Sequence, residues 1–85
     1  MKILRLIADG SIYEGMTKAD VRNLLGEPPM HSHATRKYKE PMIWRYGKYE
    51  FWFDVQKYRT PYPGPKLTTV FDESKHKTIP FVREK

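Results

Sequence analysis

Residues 43–53, IWRYGKYEFWF, place six aromatic rings around a single Gly-Lys pair. β-branched and aromatic residues flanking a Gly-X dipeptide read as two short strands joined by a two-residue hairpin turn. Side chains alternate along a strand, and a two-residue turn pairs Tyr46 with Tyr49. That register puts Trp44, Tyr46, Tyr49, Phe51, Phe53 and Val55 on one face. Ile43, Arg45, Glu50, Trp52 and Asp54 fall on the other. Five of the six rings thus form one apolar surface, which the rest of the chain must cover. Trp52 is the exception, a large ring on a polar face.

The cover comes from the N-terminal third. In residues 15–29, GMTKADVRNLLGEPP, the Thr17 hydroxyl is placed to accept from the Asp20 backbone N–H, and the Asp20 carboxylate to accept from the N–H of Thr17. Met16 before the cap and Val21 after it make a hydrophobic staple. Val21, Leu24 and Leu25 supply the buried face, Gly26 suits the residue after the last turn, and Pro28-Pro29 stops continuation. The helix is expected over 17–26. Ile3, Leu4, Leu6 and Ile7 form a narrow helical stripe ended by Asp9-Gly10, so a first helix is expected over 2–9.

Residues 30–41 show no period and read as an exposed loop. Strands are expected over 42–46 and 49–55. The Pro-rich stretch 56–66 is a loop, and 67–71 reads as a third strand with Leu67, Thr69 and Phe71 on one face and Val70 on the other. DESKHK is a charged turn, and 78–82 offers a short strand that Pro80 confines to an edge. The expected fold class is α+β: two N-terminal helices packed on an antiparallel sheet of three to four strands. Eighty-five residues make a single domain, spanning 1–85.

The wording of residues 15–55 resembles the BamE/SmpA-type fold. That family opens a helix with G-M-T, ends it at L-G-x-P, and follows with a W/Y-x-Y-G hairpin. Here these are Gly15, Met16, Thr17, Leu25, Gly26 and Pro28, then Trp44, Tyr46, Gly47, Phe51 and Phe53. The matching residues are caps, turns and core, so they speak to fold. The family's best-known members are lipoproteins of the outer-membrane assembly machinery, and the fold is similar to the repeated unit of the secreted β-lactamase inhibitory proteins. The resemblance implies binding to another protein without catalysis, in the manner of an immunity or inhibitor protein. No apolar run of signal-peptide length opens the chain and there is no cysteine to carry a lipid or a thiolate-bound metal. A cytoplasmic protein without a membrane anchor is the expectation.

The residues suggest no cofactor and no enzyme. His31 and His33 share a side of an extended segment, but no third metal ligand follows at a recognisable spacing. Glu50 and Asp54 lie too far apart along one strand to act together, and no motif marks a nucleophile or a phosphate loop. The charge of +6 is more informative. Residues 1–35 carry four Lys/Arg and four Asp/Glu, whereas 36–85 carry twelve against six. A basic half favours an acidic partner. Trp52 with Arg45 and Lys48, joined by Tyr58, Arg59 and Tyr62, is the candidate site on another protein's acidic surface, because Trp, Tyr and Arg dominate binding hot spots. The alternative is a sequence-tolerant binder of single-stranded nucleic acid, with Tyr38, Trp52 and Tyr58 stacking on bases. An edge at 67–71 would permit, without demanding, a homodimer by strand addition.

Overall fold

The computed structural model describes residues 3–32, 41–54 and 64–81. Two short helices, α1 (Ile3–Ala8) and α2 (Lys18–Leu25), precede five strands, β1 (Met30–His31), β2 (Ile43–Tyr46), β3 (Tyr49–Asp54), β4 (Lys66–Asp72) and β5 (Lys77–Ile79). The strands form one antiparallel sheet in chain order, β1 to β5. The α+β class therefore holds, with five strands in place of three or four. The additional strand is β1, which lies in the stretch read as loop. Its two residues pair with Arg45 and Trp44, too short a run to show any alternation in sequence.

The hairpin has the expected register, Tyr46 opposite Tyr49 and Trp44 opposite Phe51. Gly47 carries φ 62° and Lys48 does not share the positive sign, which is the turn that matches strand twist. Trp44, Tyr46, Tyr49, Phe51 and Phe53 are all buried together with Ile3, Ile7, Ile12, Met16, Val21, Leu67 and Val70. Each such side chain contributes roughly 1.5–3 kcal/mol of burial. Within this core Trp44 meets Phe53 edge-on at 5.1 Å, and Tyr46 meets Phe51 edge-on at 5.2 Å. Five rings of the hairpin are thus core and closed to a ligand. Val55 lies outside the described residues.

The cap of α2 forms as read. Thr17 Oγ1 accepts from the Asp20 N–H at 3.0 Å, and Asp20 returns the bond to the Thr17 N–H at 3.4 Å. Gly26 ends the helix at φ 83°, ψ −175°, a region that glycine alone adopts freely. The helix faces are narrower than the sequence suggests: Val21 is buried and Leu25 packs against the core, but Leu24 and, on α1, Leu4 are exposed. A helix of two turns turns only one or two residues fully inward. At its C-terminal end α2 is tied to the sheet by the Tyr46 hydroxyl, which donates to the Gly26 carbonyl at 2.8 Å. Burial, with Glu27 nearby, pushes this phenol up to about 12, so it keeps its proton and remains a donor.

Strand β4 departs from simple alternation. Trp52 pairs with Thr69, but the next residue, Phe53, pairs with Leu67. Thr68 is the extra residue of a bulge, and its hydroxyl donates to the Trp52 carbonyl at 3.1 Å. The bulge returns Leu67 to the helix side, where it is buried with Val70; the expected separation of those two onto opposite faces does not occur. Nor is β4 an edge. β5 pairs with Val70, Phe71 and Asp72. Ahead of them the segment before α2 takes over, with Gly15 N–H donating to the Leu67 carbonyl and Leu67 N–H to that of Met16, both at 2.7 Å. Strand addition along 67–71 has no free edge to use. Among the described residues no helix is long and apolar enough to cross a membrane.

Two substitutions test this account. Tyr46→Phe removes one helix–sheet bond while keeping the ring, and should cost about 0.5–1.5 kcal/mol in urea unfolding with an unchanged m value. His76, at φ 51° in the β4–β5 turn, holds a left-handed conformation. His76→Gly should raise stability by up to about 1 kcal/mol, the relief of that strain being partly offset by the freer unfolded chain.

Candidate interaction face

The helices cover one side of the sheet. The other side is built of cross-strand rows, because directly paired residues share a face. One row runs Met30, Arg45, Glu50, Phe71 and Thr78, and the next runs Ile43, Trp52 and Thr69. Trp52 is 43% exposed and Met30 59%. The sequence places Trp52 and Arg45 on this face, and they stand in adjacent rows of it. Beside them an open cleft of about 220 Å3 is lined by Met30, His31, Ser32, Ile43, Arg45 and Glu50.

Polar contacts fix the central row. The Trp52 indole N–H donates to Glu50 Oε1 at 3.1 Å. Arg45 Nη2 donates to Oε1 of Glu73, an ion pair reaching from β2 to the turn after β4. The Glu73 N–H in turn donates to the Lys48 carbonyl at 2.9 Å, holding that turn against the hairpin. Glu73 was hidden inside a charged turn in the sequence, and only the five-strand register brings it beside Glu50. The neighbouring Glu50 carboxyl raises the pKa of Glu73; burial acts the same way, and Arg45 opposes both. Glu50 therefore has a carboxyl partner, but it is Glu73 rather than Asp54.

Lys48 is elsewhere. Its ammonium lies 5.5 Å from the ring centroid of Tyr49, a helix-side residue. On that same side Asp72 is buried, its Oδ1 accepting from the Ser74 hydroxyl at 2.7 Å and from the Ser74 N–H at 2.9 Å. The Ser74 hydroxyl chiefly, with the Ser74 N–H, the Lys48 charge and the Lys75 N–H, holds the Asp72 pKa below the usual carboxylate range against the effect of burial. Tyr58, Arg59 and Tyr62 of the expected site, like Tyr38, lie outside the described residues. Among the described residues no three His, Cys, Asp or Glu gather as a metal site.

The charge is distributed unlike the sequence halves. Described cations are Arg5, Lys18, Arg22, Arg45, Lys48, Lys66, Lys75 and Lys77; described anions are Asp9, Glu14, Asp20, Glu27, Glu50, Asp54, Asp72 and Glu73. The two sets balance, so the whole +6 excess belongs to the other segments of the chain. The two internal ones, 33–40 and 55–63, join the described structure at Ser32 and Pro41 and at Asp54 and Gly64. Ser32 N–H donates to the Ile43 carbonyl at 2.9 Å, Ile43 pairs with Trp52, and Asp54 pairs with Lys66. Both basic segments are therefore rooted at one end of the sheet, the end at which Trp52 stands.

No protein-family model matches the chain, and neither does any curated protein or solved structure.

Of the three perturbed carboxyls, Asp9, Asp72 and Glu73, the last two make opposite contributions to stability. Asp72, with its pKa lowered on folding, stabilises above its unfolded value of about 4, and this is lost as pH falls through the folded value. Glu73, with its pKa raised, contributes stability that is complete below its unfolded value and is lost as pH rises through the folded one. Urea midpoints measured against pH should pass through a maximum in mild acid, and Glu73→Gln should flatten the alkaline side of that maximum alone.

Proposed function

We propose that the chain is a non-catalytic protein-binding module that docks through the open face of its sheet, with Trp52 as the anchor. The observation that carries this reading is a Trp left 43% exposed in a chain that buries the other five rings of the same hairpin. A sheet face carrying Met30, Ile43 and Phe71 with Arg45 and Glu50 beside an exposed indole has the composition of a hot spot with its rim. Arg45 sets the polar border of that anchor. The partner is a protein with an acidic surface, drawn to the basic segments rooted beside Trp52 and placed by steric fit on the face. An immunity or inhibitor role follows the resemblance of residues 15–55 to the BamE/SmpA-type fold, and the same reading sets the protein in the cytoplasm.

The rooting of both basic segments at one end also favours a second reading, a single-strand nucleic-acid groove in which Tyr38, Tyr58 and Trp52 stack on bases. The two differ in salt response, since neutralising several phosphates makes affinity fall steeply with ionic strength.

Affinity capture from lysate, with and without nuclease, separates them. On the protein-binding reading one protein is recovered stoichiometrically after nuclease, and the purified pair loses about 30-fold or more in affinity on Trp52→Ala, the loss expected at a hot spot. Trp52 lies outside the buried core, so this variant should still unfold in one cooperative transition, at a somewhat lower urea midpoint through the loss of its contacts with Ile43, Thr69 and Glu50. Recovery of mixed nucleic acid, with proteins lost on nuclease treatment, replaces the first reading with the second. Undiminished partner binding by Trp52→Ala combined with Arg45→Glu removes the face from the site.

A further inference from the structure

Glu50 is the cross-strand partner of Arg45 and Glu73 is ion-paired with it, so two acidic residues flank one arginine on the open face. Glu73 Oε1 accepts from Arg45. Glu73 Oε2 is shut off from water and receives no hydrogen bond from a described donor. A buried acceptor left in that state is costly, and native structures rarely tolerate it. The carboxyl beside Glu73, and the chief cause of its raised pKa, is that of Glu50. Two ionised carboxylates have no hydrogen to share; a proton between them turns the contact into a bond.

We infer that Glu73 carries a proton on Oε2 and donates it to Glu50, and that this shared proton fixes the carboxylate on which the Trp52 indole is held. The same proton satisfies the orphaned oxygen, leaves Oε1 free to accept from Arg45, and balances one guanidinium with one negative charge. Glu50 then receives two donors, the Glu73 carboxyl and the Trp52 indole N–H. When the proton leaves, two carboxylates face a single cation. The surface one, Glu50, moves toward water and takes the indole's acceptor with it. The open face therefore reports proton concentration through the placement of Trp52.

The groups facing the pair are few. Arg45 comes from β2 and Glu50 from β3, and His31 of β1 lines the adjoining cleft, its Nδ1 bonded to the Ser32 carbonyl. On the turn itself Asp72 faces the helix side, Lys75 and His76 are exposed, and the Lys48 ammonium is held near Tyr49. Arg45 is the one cation seated on the pair among the described residues. The upward shift of Glu73 has the direction a shared proton requires.

The inference needs no partner and is tested on the chain alone. Carbon-detected NMR follows the glutamate carboxyls through a pH titration, while the indole nitrogen resonance of Trp52 is followed in parallel. The expected result is a Glu73 midpoint above the ordinary glutamate range, with the Trp52 indole shifting at the same midpoint. Glu73→Gln keeps an oxygen for Arg45 and a permanent donor toward Glu50, so the Trp52 resonance should stay at its acid position throughout. Glu50→Gln leaves Glu73 facing Arg45 without a competing carboxyl, and the Glu73 midpoint should drop into or below the ordinary range. A wild-type Glu73 midpoint in or below that range overturns the inference, as does an indole that ignores the Glu73 titration. The Glu50→Gln readout decides the matter even where Glu73→Gln does not fold.

Discussion

The pairing of Tyr46 with Tyr49 across Gly47-Lys48 governs everything else in the molecule. A slip of one residue would exchange the two faces, exposing Phe51 and Phe53 and burying Glu50 and Asp54. Gly47 prevents this because a positive φ at the first turn position is compatible with two-residue closure and with little else. With the register set, five rings form the floor on which α1 and α2 rest, and Lys18 and Arg22 lie with their cations 5.5 Å and 5.0 Å from the centroid of the Trp44 ring. The open side is the complement of that choice. Trp52 is exposed for the same reason that Phe51 and Phe53 are not.

Local chemistry was readable where it is self-contained. The α2 cap uses residues three apart, the hairpin uses adjacent ones, and both could be read without knowing the rest of the chain. Elements set by distant pairing were not readable. β1 is a strand only because Arg45 and Trp44 stand beside it, and the bulge at Thr68 exists only relative to β3. Glu73 joined the candidate face by the same route: its distance from Glu50 depends on the register of β3 against β4, which no short window of sequence contains. Leu4 and Leu24 were overcounted as core because periodicity names a face and not how much of it a short helix covers.

The balance of charge gives the molecule two separate kinds of surface. The described fold is neutral, and it holds the short-range ion pairs Arg22–Glu27 and Arg45–Glu73. Attraction at a distance belongs to the basic segments between strands and at the chain ends, whereas the specific contacts that a folded face offers, the indole and its carboxyl neighbours, are themselves near neutrality. On such a protein encounter rate and contact specificity are set by different residues.

The bridge between Gly15–Thr17 and the start of β4 carries a consequence for assembly. The sheet grows in chain order from β1 to β5, a meander whose neighbours are also neighbours in sequence. The edge of β4 is the exception, since β5 covers its C-terminal half and the N-terminal segment covers the rest. Among the described backbone bonds outside the strand ladders, those between Gly15–Met16 and Leu67 join the residues farthest apart in sequence, so closing that loop carries the largest entropy cost. A ribosome-bound chain holds the N-terminal segment ready long before Lys66 emerges, and the sheet is sealed only when the last strands arrive to meet it.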